Sequence, residues 1–286
     1  MPLTLNEILN THSGGRAVVM GILNVTPDSF SDDGEFLAPG AAARQAREMI
    51  AAGADIVDIG AESTRPGSER VGAAEQIARI EGILPAVVGA GAVVSIDTTL
   101  AEVAAFGLDG GAEMINDVSA GRDDSEMLPL AARRGAAIVL MHMLGEPKTM
   151  QAAPRYDDVV SEVVEFLGGR VAAAEAAGIP RQRCIIDPGI GFGKELEHNL
   201  ALLGHLERLG ELNCPILVGP SRKRFIGELT GVSVAADRVA GTIAACLCAR
   251  RRGAGIFRVH DVGAVVESLK VAEAIDKSGG AASERR

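Results

Sequence analysis

Aromatic residues make up only 3% of this 286-residue chain, with seven Phe, one Tyr and no Trp. That scarcity excludes the stacking platforms of single-stranded nucleic-acid binders and the aromatic clefts of many carbohydrate sites. Cysteine is sparse as well: Cys184, Cys214, Cys246 and Cys248 fit neither a zinc pattern nor a disulfide framework. Cys246 and Cys248, in "AACLCAR", read as ordinary core thiols on an apolar helix. No apolar run reaches the length of a membrane span, and "MPLTLNEILNTHSGG" lacks the apolar stretch of a signal peptide. The expectation is therefore a reducing cytoplasm and no membrane partner. Cations are outnumbered, 28 Lys and Arg against 38 Asp and Glu, and a net charge of −10 disfavours nucleic acid while permitting a local cationic pocket. Also missing are a Walker loop, a Rossmann glycine triplet after the first apolar run and a nucleophile elbow, so neither nucleotide phosphates nor a catalytic serine explains the polar residues.

What the chain does have is a regular alternation. Hydrophobic residues are 47% of the total, enough for a large core. Short apolar runs such as "AVVMGIL", "ADIVDIGAE", "AVVSIDT", "AEMINDVS", "AAIVLMH", "RCIIDPG", "CPILVGPS" and "GIFRVHDV" alternate with longer Ala-rich helical patterns. Near-continuous apolar strands of this kind belong to parallel sheets covered on both faces. Eight repeats without a linker-like break predict an α/β fold, a single-domain (β/α)8 TIM barrel with long βα loops 1 and 2. Residues 1–15 are expected to form an N-terminal extension over the lower end, residues 16–277 the barrel, and residues 278–286 a disordered tail.

Polarity collects where the strands end. Asn24, the Glu62–Arg65 stretch, Asp97, Asn116 with Asp117, His142, Asp187, Ser221 to Lys223, and Arg258 with His260 and Asp261 all stand at the exits of successive strands. Barrel enzymes build their sites at that end. Asp97, Asn116 and Asp187 supply acceptors and one amide, a set that suits a planar heterocycle bound by its ring N–H and amino groups. Arg65, Arg258, His260 and Lys223 read as cationic donors for an anion such as phosphate. Arg222 and Arg224 are expected to pair with surface acids while Lys223, between them, points elsewhere. His142 reads as packing under the site. The glycine-rich stretches "STRPGSERVG" and "DPGIGFGKE" look like mobile loops able to close over a ligand.

Seven segments, "GILNVTPDSFSDDG", "DIGAESTRPG", "VSIDT", "MINDVSAG", "DPGIGFGK", "VGPSRKRFIG" and "FRVHDV", together resemble the dihydropteroate synthases of the folate pathway, from about Val18 to about Val271. Asp33 and Ala61 depart from the commonest wording of those motifs, which has Gly at both places. The resemblance implies a transferase, of a family that sulfonamides target, that joins 6-hydroxymethyl-7,8-dihydropterin pyrophosphate to 4-aminobenzoate and releases pyrophosphate. It places Asp97, Asn116 and Asp187 on the pterin edge, Lys223 at the ring's carbonyl side and Arg258 against the pterin face. Asn24 would contact a Mg2+ on the pyrophosphate, with Arg65 and His260 on phosphate oxygens. Thr64, Pro66, Phe192 and Ser221 would surround the aminobenzoate, and "VTPDSFSDDG" would form a lid in which Phe30 shields the centre. Asp97, Asp187, Lys223, Arg258 and His260 are the expected catalytic set. Homodimers through late helices are a common arrangement of the family. A corrinoid-linked pterin methyltransferase would share the barrel but have no pyrophosphate to hold, and a non-catalytic paralogue would be expected to lose rim residues.

Overall fold

Alternation within each strand decides which residues face the barrel axis. A computed structural model describes residues 2–10, 15–25, 39–63, 68–145, 149–150 and 153–283. Its strands are β1 (Val18–Asn24), β2 (Ile56–Gly60), β3 (Val93–Asp97), β4 (Met114–Asp117), β5 (Ala137–Met141), β6 (Cys184–Asp187), β7 (Leu217–Val218) and β8 (Ile256–Val259). All pair in parallel in the order β6-β5-β4-β3-β2-β1-β8-β7, and a bridge from Ile186 to Ile216 brings the two ends of the sheet together. The expected eight-stranded barrel is present. β7 is its shortest strand because Pro215 and Pro220 bracket it and neither can donate to a ladder.

At the lower end the inward positions are apolar: Val18, Met20, Ile56, Val93, Met114 and Ile185 belong to one cluster with Ile256. Helix α1 (Leu5–Leu9) closes that end by adding Leu5, Ile8 and Leu9 to the same cluster. It starts at a capping box in which Thr4 and Glu7 satisfy each other's backbone N–H. The alternate residues, among them Val19, Val57, Val94, Ile138 and Phe257, face outward into the larger core under the helices.

Two-residue steps up the same inward rows lead from the apolar plug to polar side chains: from Met20 to Asn24, from Ile56 to Asp58, from Val93 to Asp97, from Met114 to Asn116, from Ile185 to Asp187, and from Ile256 to Arg258. The chemistry of the upper end is thus a continuation of the strand period.

The helices are α2 (Pro39–Ala51), α3 (Ala73–Glu81), α4 (Leu84–Val88), α5 (Ala101–Asp109), α6 (Met127–Arg134), α7 (Val159–Ala176), α8 (Leu196–Gly204), α9 (Arg224–Thr230), α10 (Val239–Arg250) and α11 (Val262–Ser283). The helical run expected after β2 is broken into α3 and α4, because Gly82 caps the first and Pro85 opens the second. Helix α9 has no counterpart in the sequence reading. Helix α11 continues as far as Ser283, into the segment 278–286 for which no order is expected, since a long helix propagates at little cost per added residue.

Candidate active site

Asp97 and Arg258 meet at the centre of the barrel mouth. Arg258 donates from Nη2 to Asp97 Oδ2 and from Nε to Asp58 Oδ2, each at 2.6 Å. Asp58 Oδ2 also accepts from Asn116 Nδ2 at 3.0 Å. One buried carboxylate therefore orients both the guanidinium and the amide, and turns the Asn116 carbonyl oxygen away from Asp58. Asp58 lies inside its strand, two residues below Gly60 on the inward row, so polarity at strand ends does not reveal it and its place on that row is the available signal.

Burial and the neighbouring carboxylates Asp58, Glu62 and Asp117 lift the Asp97 carboxyl to about 7 against the pull of Arg258, whose single charge is shared with Asp58. Asp97 commits Oδ2 to that pair, which leaves Oδ1 as its second acceptor. Asp187 is lifted to about 6, chiefly by burial, while the Gly189 N–H on Oδ1 at 2.7 Å and the charges of Lys223, Lys194 and Arg258 pull it back.

Lys223 reaches the same space because Arg222 adopts a left-handed backbone, φ 58°, which sends three consecutive side chains apart. Ser221 Oγ lies 2.9 Å from His260 Nδ1, and Arg222 pairs with Asp261 at 2.9 and 2.5 Å. Lys223 turns inward, with Nζ 3.9 Å from the centroid of the Phe192 ring. Burial and Arg258 lower its amine to about 8, with Asp187 and Asp97 acting the other way. Arg224 pairs with Glu228 on the surface.

His260 is expected from the sequence to be a cationic donor, and its own surroundings work against the charged form. Burial, with Arg222, Arg258 and Lys223 nearby, lowers its imidazole to about 4, so near neutral pH it stands uncharged beside Ser221. The "DPGIGFGKE" stretch, expected to be mobile, is instead pinned: Lys194 is buried beneath it and bonded to its carbonyls. Cys248, expected in the core, is exposed, whereas Cys246 is buried. Ala61 is fully buried in the core outside the strands, so its methyl does not enter the mouth. Glu62 holds the second loop to α3 by accepting from Gln76 Nε2 at 2.9 Å. Asp117 faces away from the mouth and secures its own loop through Ser119 and Gly121.

Asn24 is half-buried at the end of β1. A Cβ placed on Gly60 would lie 3.4 Å from Asn24 Oδ1 and 3.6 Å from Asp97 Oδ2, so the glycine keeps open the space between these two oxygens. Val118, Met141, Met143, Met150 and Phe192 form an apolar cluster at the same end of the barrel. Thr64, Arg65 and Pro66, the "TPDSFSDDG" part of the expected lid and Asp33 lie outside the described residues.

A family model described as pterin binding enzyme matches residues 20–260. The dihydropteroate synthase of Neisseria meningitidis serogroup B is 49% identical, over 90% of this chain and 92% of that one. The Xanthomonas albilineans dihydropteroate synthase solved with 4-aminobenzoic acid superposes with a TM-score of 0.86 at 47% identity, covering 92% of this chain and 94% of that chain. The Thermus thermophilus enzyme solved in complex with 6HMPPP gives 0.80 at 46% identity, covering 92% and 95%.

Proposed function

This chain belongs to the dihydropteroate synthases, within the pterin binding enzyme family, and from that premise we propose how its barrel mouth carries out the reaction. It joins 6-hydroxymethyl-7,8-dihydropterin pyrophosphate to 4-aminobenzoate, forming 7,8-dihydropteroate and pyrophosphate. The observation that carries the assignment of roles is the convergence of Asp97, Asn116, Asp187 and Lys223 on one buried, half-apolar mouth.

The carboxylates accept from the ring N–H and amino groups, the Asn116 carbonyl adds a third acceptor, and Lys223 donates to the ring's carbonyl side. Arg258 offers a planar face for stacking. The bond from the pterin methylene to the pyrophosphate oxygen breaks first, and its electrons leave with the pyrophosphate. Positive charge then spreads into the pterin, where Asp97 and Asp187 stabilise it. The amine of 4-aminobenzoate forms the new C–N bond and loses a proton to solvent or to pyrophosphate. Phe192 and Ser221 border the aminobenzoate, with Thr64 and Pro66; Arg65 and His260 take phosphate oxygens, and an anion there draws a proton onto the His260 imidazole.

Among the described residues no group of three His, Cys, Asp or Glu side chains can hold a metal by itself. The amide oxygen of Asn24, facing the gap at Gly60, suits a Mg2+ that arrives on the pyrophosphate, since this ion is commonly held by one or two protein oxygens plus substrate phosphates. When bound, it neutralises charge on the leaving group.

Incubation with both substrates and Mg2+ is expected to yield dihydropteroate and pyrophosphate in equal amounts. The carboxylates must be ionised to accept and Lys223 protonated to donate. kcat/KM for the pterin should therefore be bell-shaped, falling below the range of about 6 to about 7 set by Asp187 and Asp97 and above about 8 set by Lys223. A rate flat from about pH 5 to about pH 9 would remove these groups from the site.

A homodimer is the expected assembly. Between α8, α9 and α10 lies an apolar groove of about 350 Å³, with Leu200, Leu203, Phe225, Ile226, Leu229 and Ala245 in its walls. Leu200 and Leu229 are 41% and 55% exposed on the same groove, a contiguous apolar patch of the kind a partner surface covers. Sedimentation should give twice the 29.5 kDa of one chain. The four unpaired cysteines fit a reducing cytoplasm.

A further inference from the structure

Among the described residues, Lys194 is the one buried lysine near the mouth to which the reaction gives no task. It is 3% exposed, and among the described residues it pairs with no carboxylate at salt-bridge distance. Its Nζ instead lies 2.9 Å from His142 Nδ1, 3.0 Å from the carbonyls of Gly189 and Phe192, and 3.3 Å from the carbonyl of His142. Three carbonyl dipoles and an imidazole nitrogen aimed at one point are the surroundings of a bound monovalent cation.

The loop that supplies two of these carbonyls, residues 188–195, is pressed against the exit of β5. A Cβ on Gly189 would fall 1.9 Å from the His142 carbonyl oxygen, and one on Gly193 would fall 2.6 Å from that of Leu144. Both glycines have left-handed backbones, φ 66° and 61°. Other polar groups of the loop are satisfied from its outer side. Gly191 donates to Asn199 Oδ1 at 2.6 Å, and the Gly193 carbonyl accepts from Tyr156 at 2.7 Å. On the inner side the Lys194 ammonium meets the carbonyls of Gly189 and Phe192. The Gly189 N–H on Asp187 and the Phe192 ring under Lys223 both belong to this loop, so its position sets two of the groups assigned to the pterin.

We propose that Lys194 is a positioning residue for the reaction: its ammonium is the internal cation around which the β6–α8 loop folds, and through that loop it places Asp187, and by way of the Phe192 ring Lys223, against the pterin. Burial lowers the Lys194 amine to about 7, with the charge of Asp187 acting against that shift and Lys223 reinforcing it. The three carbonyls can only accept, which favours the form with three protons.

The inference rests on the pterin-side roles assigned above. The test is Lys194→Ala in the full chain, assayed beside the wild type with propylammonium or with tetramethylammonium at equal ionic strength. Both ions carry one charge, but only the first can donate hydrogen bonds. Truncation is expected to lower kcat/KM for the pterin pyrophosphate on the order of 100-fold, with a smaller change in KM for 4-aminobenzoate. Propylammonium should restore activity saturably, and tetramethylammonium should not. Equal restoration by both ions, no restoration in a folded variant, or native kcat/KM in Lys194→Ala would overturn the proposal. If the Ala variant does not fold, Lys194→Met, which keeps volume without donors, replaces it. Native pterin affinity in the Met variant, or its failure to fold, makes the lysine a stability element only. A wild type that forms no product would sink the underlying functional reading instead, which keeps the two failures apart.

Discussion

Replacing Lys223 by Ala is expected to lower kcat by roughly 10²- to 10³-fold, about 2.7–4 kcal/mol of transition-state stabilisation, with a stable fold. Lys223 is the one flexible donor among the acceptors Asp97, Asn116 and Asp187, and its amine is held on the face of Phe192. A ring whose electron density shifts as pyrophosphate departs needs a fixed donor on its carbonyl side, and water in the emptied space must reorganise to do the same. The pH profile separates this role from simple packing. Lys223 pulls the Asp187 carboxyl down from the value burial would give it. Its loss should move the acid limb upward and abolish the alkaline limb near 8. Lys223→Met with unchanged limbs and unchanged kcat would remove the residue from the chemistry.

Arg258→Ala should be the most damaging single change to stability near the site. The guanidinium is the counter-charge of both Asp58 and Asp97, which are 0% and 7% exposed. Removing one partner of a buried ion pair costs about 3–5 kcal/mol, because the other charge stays behind unpaired. The pH dependence has a definite sign. Asp97 is already raised above the ordinary carboxylate range, and loss of Arg258 raises it further. A carboxyl whose folded value exceeds its unfolded value binds protons more strongly in the native state, so stability falls as pH rises between the two values. The variant should be most destabilised above pH 7 and recover part of the difference as pH falls through the raised Asp97 value, which denaturant titrations across pH would show. Arg258→Lys should recover little, because a point charge cannot serve Asp58 and Asp97 through two separate nitrogens.

Most of the barrel and much of the mouth were legible in the sequence because one physical rule produces both. The same alternation that buries Met20 and Val93 at the lower end carries Asn24 and Asp97 into the mouth four residues later. Asp58 escaped because it sits inside an apolar run and not at its end, where a carboxylate is tolerated only by pairing with residues about 60 and 200 positions away. Nothing local announces such a partner. Lys194 escaped for a related reason: five glycine and apolar neighbours suggest mobility, and only the tertiary fold brings His142 beneath the loop. The lowered imidazole of His260 is likewise set by burial and by Arg222 and Lys223 from the loop after β7, together with Arg258 of its own segment, and only Arg258 stands near it in the sequence. Helix α9 was missed because seven residues carry too few turns for a clear period.

The most direct measurement of the central claim is a crystal structure of the protein with the pterin pyrophosphate bound. The ring edge should lie at hydrogen-bond distance, about 2.7–3.1 Å, from Asp97, the Asn116 carbonyl, Asp187 and Lys223, with Arg258 against the ring face and the pyrophosphate beside Asn24 and His260. A pterin seated elsewhere, with the mouth unchanged and Lys223 still lying only on Phe192, would contradict it.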